Sequence, residues 1–154
     1  MGAAINLLVR ADDAGSSWSS NMGCLRACTD GIAGSVEVMM PCGWVSHAAR
    51  LFGERREIDV GIHLTLTSEW EAVRWRPLTH AASLIDDDGF FLPLLMPRDG
   101  DTRPCLAQAD WQLDDIAGEL RAQIMLGKAL FAHASHVSTH MIRHLKALDP
   151  RIGE

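Results

Sequence analysis

"LLVRADDAG", Leu7 to Gly15, sets an apolar run directly against two adjacent aspartates. The run extends from Ile5 to Val9, and Asp12 and Asp13 follow after Arg10 and Ala11. From Ile5 to Ala11 the apolar residues are nearly continuous rather than alternating, which predicts a strand buried on both faces, the pattern of a parallel sheet. Neighbouring carboxylates repel and are costly to desolvate unless something positive sits beside them. A solvated turn or a helix N-cap accounts for them in one way. A bound metal ion accounts for them in another.

Outward from this stretch the chain keeps a regular rhythm. Trp18 to Thr29 places Met22, Leu25 and Cys28 near helical spacing, and "TDG" (Thr29 to Gly31) closes it. "GSVEVMM" (Gly34 to Met40) predicts a second strand, and the segment after Pro41 a helix from Gly43 to Phe52. "IDVGIHLTL" (Ile58 to Leu66) is rich in β-branched residues and predicts a third strand. This order predicts an α/β fold with a parallel sheet and right-handed crossovers. Residues 68–105 break the rhythm as a long excursion, with Pro77, Pro93, Pro97 and Pro104, and "DDDG" (Asp86 to Gly89) between two short apolar pieces, Ala82 to Ile85 and Phe90 to Leu95. Loops of this length in compact domains are commonly lids or binding surfaces. A helix is predicted from Leu106 to His133, with Trp111, Ile116, Leu120, Ile124 and Leu130 as its apolar stripe. A fourth strand, Ser135 to Thr139, runs into His140.

The totals fit one domain. There are 154 residues, 47% hydrophobic and 22% charged. The net charge of −6 argues against nucleic acid or an anionic membrane surface as partner. No apolar run approaches the roughly 20 residues of a membrane helix, and the N-terminus has no signal-peptide pattern. Cys24, Cys28, Cys42 and Cys105 follow no zinc-finger spacing. They are expected as reduced residues in a cytoplasmic protein, with Cys24 and Cys28 in the core.

Active sites of parallel α/β folds collect at the C-terminal ends of strands. Three of the four predicted strand ends carry potential metal ligands: Asp12 and Asp13, then His63, then His136 and His140. One carboxylate and two imidazoles form a common ligand set for a divalent ion with open positions. The spare aspartate is then available as a general base on a metal-activated water. Taken singly, each residue also has a structural explanation. His47, His80, His133 and His144 are expected at the surface.

"ADDAG" (Ala11 to Gly15), "VGIHLTLTSEW" (Val60 to Trp70), "LIDDDGFF" (Leu84 to Phe91), "ELRAQI" (Glu119 to Ile124) and "SHVSTHM" (Ser135 to Met141) together resemble, in this order, the YdjC/ChbG family of carbohydrate deacetylases. The resemblance implies an irregular, TIM-barrel-like (β/α) fold, here a partial barrel, in a single domain over residues 1–154. It implies removal of N-acetyl groups from small oligosaccharides with one divalent metal ion, Mg2+ or Zn2+. By position, Asp13, His63 and His140 match the metal ligands, Asp12 the catalytic base, and His136 a histidine behind the ligands. Trp70, Trp75, Phe90 and Phe91 lie in the excursion as candidates for stacking on sugar rings or as a local apolar cluster. Two further readings stand beside deacetylation: another metal-dependent ester or phosphoester hydrolase, and a metal- or sugar-binding module without turnover.

Departures from the family pattern are specific. Ala14 stands where Phe is usual, and Ser138 where an Asp often precedes the Ser/Thr of the last motif. The family is roughly twice this length, and "IRHLKALDPRIGE" (Ile142 to Glu154) is closer to a late family segment than to a continuation of the metal motif. A truncated or internally shortened barrel follows, with two unpaired sheet edges. These predict a homodimer.

Overall fold

A computed structural model describes residues 5–141. Four strands, β1 (Arg10–Ala14), β2 (Ser35–Val38), β3 (Asp59–Leu64) and β4 (His136–Thr139), form one parallel sheet in the order β1-β2-β3-β4. The connections carry α1 (Trp18–Thr29), α2 (Val45–Phe52) and α3 (Leu113–Leu130). The fold is α/β, as the alternation of elements predicts.

The strand register sorts the side chains into two faces. Val36, Val38, Val60, Ile62 and Leu64 pack with Ala48 and Phe52 of α2, Cys24 of α1 and Phe131 just after α3, and this cluster seals the helix side of the sheet. The alternate residues, Ser35 and Glu37 on β2, Gly61 and His63 on β3, and His136 and Ser138 on β4, occupy the other face. That face is polar, and the candidate site lies on it.

The first strand begins later than the apolar run suggests. Ile5, Leu7 and Leu8 are exposed (97, 82 and 69%), and pairing starts at Arg10 opposite Ser35. The reason lies in the neighbour. The chain turns at Asp30 to Gly34 before β2 begins, so the last upstream contact is Gly34 N–H donating to the Val9 carbonyl at 3.0 Å. Among the described residues, nothing pairs with the chain before Val9.

The excursion between β3 and α3 is built around its own core. Leu66, Trp75, Leu84, Phe91, Leu92, Leu95 and Leu106 pack with Met39 after β2 and Ile116 of α3. Its regular pieces are two short 3-10 turns, Ala82–Leu84 and Leu106–Gln108, so α3 starts seven residues later than the predicted helix. The "DDDG" segment is a true turn: Asp86 Oδ1 accepts from the N–H groups of Asp88 and Phe90, each at 3.0 Å, and Gly89 takes φ 80°. The segment bends Ile85 back into an antiparallel bridge with Phe91.

The buried face of α3 differs from the apolar stripe. Ile116, Glu119, Gln123 and Gly127 are its buried residues, while Leu120, Ile124 and Leu130 are half-buried. Gln123 works as a backbone surrogate against the end of β3. Thr65 N–H donates to its Oε1 (2.9 Å), and its Nε2 donates to Thr65 O (2.8 Å). Glu119 accepts from Leu78 N–H, Thr79 N–H and the Thr79 hydroxyl, at 3.1, 3.0 and 2.7 Å. The helix thereby fastens the excursion to the sheet.

Candidate metal centre

Between the pairs Ala11–Val36 and Ala14–Val38, β1 has two residues, Asp12 and Asp13, where β2 has one, Glu37. This is a β-bulge. Asp13 takes φ 68°, the left-handed region that Asp tolerates better than most residues. Three donors hold it there. Its carbonyl accepts from Ser16 Oγ and Ser20 Oγ, both at 2.7 Å, and from Ser16 N–H at 3.3 Å. Gly15 follows at φ 95°, where a Cβ would lie 2.8 Å from Met39 O, so only glycine fits. Buried Asn21 fastens this turn, its Oδ1 accepting from Gly15 N–H at 2.6 Å while its Nδ2 donates to Trp44 O at 3.1 Å.

The bulge aims Asp13 at two histidines. His140 Nδ1 lies 2.9 Å and His63 Nε2 3.4 Å from Asp13 Oδ1. One ligand atom from each of the three residues lies within 4.8 Å of the others. Each imidazole has its second nitrogen engaged. His63 Nδ1 is 2.7 Å from Ser138 Oγ, and His140 Nε2 is 2.9 Å from Glu69 Oε1. Both rings therefore have one nitrogen facing inward and the other tied to an outer partner, which is how metal-binding histidines are held. Glu69 Oε2 is buried and makes no hydrogen bond among the described residues. One carboxylate oxygen and two imidazole nitrogens fit a divalent cation.

The electrostatics match that arrangement. Burial by itself would raise the Asp13 pKa, but the adjacent imidazoles, His140 before His63, outweigh it and hold the carboxyl well below the usual carboxylate range. Burial favours neutral His140, yet Asp13 and Glu69 on either side outweigh it and raise the imidazolium to about 9. The Cys42 thiol is pushed far up, mainly by burial and further by the charges of Asp13 and Glu69, so it stays protonated.

Asp12 stands outside the three-residue cluster. Its side chain is 47% exposed and its nearest ion-pair partner is Arg10, at 3.9 Å. His136 bridges Glu37 (2.9 Å) and Asp59 (3.5 Å) and reaches His63 only through Glu37 and Ser138. Of the four aromatic residues, Trp70 and Trp75 meet edge to face, with ring centroids 5.6 Å apart. Phe91 is fully buried and Trp75 4% exposed, its indole N–H donating to Thr67 O at 2.7 Å. Phe90 is covered by the guanidinium groups of Arg74 and Arg76, 4.6 and 4.1 Å from its centroid. Trp70 is 40% exposed and, with Glu69, Arg74 and Arg103, lines an open cleft of about 290 Å³.

Glu37, Glu69 and Asn21 did not stand out in the sequence. Glu69 was within reach, since it lies inside the "LTSEW" motif two residues past Thr67. Glu37 is a single polar residue in an apolar run, and Asn21 follows two serines, so neither carries a spacing signal. His47, expected at the surface, is half-buried with Nδ1 3.0 Å from Asn21 Nδ2. His133, in the turn between α3 and β4, has both ring nitrogens buried. His80 is exposed as expected, and His144 lies outside the described residues.

Fold and site together define an α/β protein with a carboxylate–bis-imidazole cluster at the C-terminal ends of parallel strands. A family described as YdjC-like protein matches residues 6–153, and the chain belongs to that family. It is 36% identical over 141 residues to a chitooligosaccharide deacetylase from Yersinia enterocolitica, covering 90% of this chain and 50% of that protein. It is also 36% identical over 121 residues to a carbohydrate deacetylase from Thermus thermophilus, covering 76% of this chain and 37% of the relative. The chain thus spans about half the length, or less, of these curated relatives. In structure it superposes on a protein proposed to cleave cellobiose phosphate, from Enterococcus faecalis, with TM-score 0.68 and 21% identity over 86% of this chain and 47% of that one. This likeness concerns the fold.

Proposed function

We propose that this chain carries the metal-holding part of a carbohydrate deacetylase that removes N-acetyl groups from small oligosaccharides. Asp13, His63 and His140 hold one divalent ion, Zn2+ or Mg2+. The observation that supports this most is the convergence of their inward atoms while both outward imidazole nitrogens are occupied. When bound, the ion supplies Lewis acidity towards the acetyl carbonyl and lowers the pKa of water.

The chain's own residues do the rest. Asp12, beside the cluster in sequence and half-exposed, takes a proton from the attacking water as general base. The open cleft beside Glu69 receives the sugar, with Trp70 as the stacking face. Arg103, whose Nη1 donates to Glu69 O at 2.9 Å, keeps the floor of that cleft in place. The four free cysteines, three of them buried, fit the reducing cytoplasm expected for the protein. The names of the relatives favour the acetylated carbohydrate over a phosphoester as substrate.

Because the chain spans about half of its relatives, ion binding and turnover are tested separately. His63→Ala is expected to lose bound metal by elemental analysis while keeping its circular dichroism spectrum. Full metal occupancy in that variant overturns the ligand assignment. Asp12→Asn is expected to keep the metal and to release acetate from chitobiose at least about 10²-fold more slowly, the usual scale for a general base. Loss of metal in Asp12→Asn would exchange the roles of the two aspartates. Zinc binding by the wild-type chain with no acetate release would favour a binding module.

A further inference from the structure

We propose that Glu37 is a positioning residue that, through Ser138, determines which nitrogen of His63 faces the metal cluster. The geometry stands on this chain's own residues. Its consequence for the ion rests on the reading above.

Glu37 lies in the middle of β2 with no exposed surface, on the polar face of the sheet. It pairs in register with Gly61, and Gly61 pairs with His136, so the three positions form one row across the sheet. The middle position has no side chain. A Cβ at Gly61 would lie 2.1 Å from Glu37 Oε2 and 2.6 Å from His136 Nε2. Glycine there opens a channel along which the Glu37 side chain crosses β3 to reach β4.

Among the described residues, each hydrogen-bond partner of the carboxylate donates to it. Oε1 accepts from Ser35 Oγ at 3.0 Å and from His136 Nε2 at 2.9 Å, and Oε2 accepts a short hydrogen bond from Ser138 Oγ. An ionised carboxylate only accepts, so the single proton of the Ser138 hydroxyl is committed to Glu37. Ser138 Oγ then has only lone pairs to offer His63 Nδ1, 2.7 Å away. The neutral His63 ring must carry its proton on Nδ1. Nε2, on the side of Asp13, is left with a free lone pair 3.4 Å from Asp13 Oδ1. Two acceptors facing each other across that gap call for a cation between them.

Serine alone would not achieve this. A hydroxyl donates or accepts equally well, and without the carboxylate it can turn and donate to Nδ1, which places the ring proton on Nε2 and blocks the ligand position. A carboxylate that merely tied β2 to β4 would contribute to stability and leave the tautomer unchanged.

Glu37→Gln separates the two roles. The Ser35 and His136 donors at the Oε1 position require the amide oxygen there, so the amide NH2 points to Ser138. Ser138 then accepts from Gln and donates to His63 Nδ1, reversing the tautomer. In the ion-free protein, long-range 1H–15N correlation spectra of ¹⁵N-histidine-labelled wild type are expected to show neutral His63 protonated at Nδ1. Glu37→Gln is expected to show it protonated at Nε2, and zinc affinity by calorimetry is expected to fall by about 10–100-fold, the usual loss when an outer partner of a metal-binding histidine is removed. Adding Ser138→Asp to Glu37→Gln supplies a direct acceptor for Nδ1–H and is expected to restore the wild-type tautomer. Should Glu37→Gln not fold, Ser138→Ala on the edge strand removes the relay and is expected to give a mixture of tautomers. An Nδ1-protonated ring that persists in Glu37→Gln, or undiminished in Ser138→Ala, overturns the proposal. If the spectra change as expected and wild-type protein binds no zinc, the metal reading fails and the role of Glu37 stands.

Discussion

His140 sits between two carboxylates with almost no exposed surface, and that single residue sets a pH dependence. Burial pulls its pKa down, and Asp13 and Glu69 pull it up further, to about 9 against an ordinary 6.5. A folded value above the unfolded one means that the proton stabilises the ion-free fold. That stabilisation is complete below pH 6.5 and is lost as pH rises through about 9. One proton sets a limit of about 1.4 kcal/mol per pH unit on the slope. Urea unfolding in the presence of a chelator is expected to show stability falling across this window, and His140→Gln is expected to flatten the fall. Stability that stays level or rises from pH 6.5 to 9 in the wild type contradicts the geometry. Any ion that takes the His140 nitrogen must displace this proton, so zinc affinity is expected to climb over the same window.

At the scale of elements, α3 shows how polar residues organise a core. Gln123 closes both hydrogen bonds of Thr65, and Glu119 gathers three donors from Leu78 and Thr79. Gln123→Ala strands the buried N–H and C=O of Thr65, each at a cost of about 1–3 kcal/mol. Equilibrium urea unfolding is expected to register a loss of that order, whereas Arg121→Ala on the exposed side of the same helix is expected to change little. Equal effects would place the helix differently against the sheet. Hydrophobic periodicity assigns polar residues to solvent, which is why Glu119 and Gln123 were not anticipated even though "ELRAQI" stood out as a motif. Where pattern and packing agree, the sequence was legible: α1 runs from Trp18 to Thr29 as expected, and β2, β3 and β4 lie inside their predicted spans. The start of β1 was not legible, because it depends on where its neighbour begins. At the site, the strand-end position of Asp13, His63 and His140 could be read from the chain. The bulge that turns Asp13 inward could not, because the twin aspartates signal charge but not backbone conformation. Nor could Glu37, whose reach depends on a glycine in the adjacent strand.

At the scale of the whole molecule, the sheet has two outer strands. Among the described residues, β1 pairs only with β2 and β4 only with β3. The apolar strand β2 is interior, with β1 and β3 on its two sides. Part of the exposed apolar surface lies at the outer strands. Ile5, Leu7 and Leu8 precede β1, and Val137 (51% exposed) and Met141 (47%) lie on and after β4. A parallel sheet is stable when both faces and both edges are covered, and open edges invite pairing with another chain. The helices cover one face, and among the described residues both edges are unpaired. We propose a two-fold dimer that places these apolar residues against a second copy. Size-exclusion chromatography with light scattering is therefore expected to give about twice the 16.9 kDa chain mass at micromolar concentration. Leu7→Asp combined with Val137→Asp is expected to yield monomer without loss of helical signal, since neither residue contributes to the two core clusters. A wild-type chain that runs as a soluble monomer sinks the dimer, and its edges must then be covered from within the chain itself.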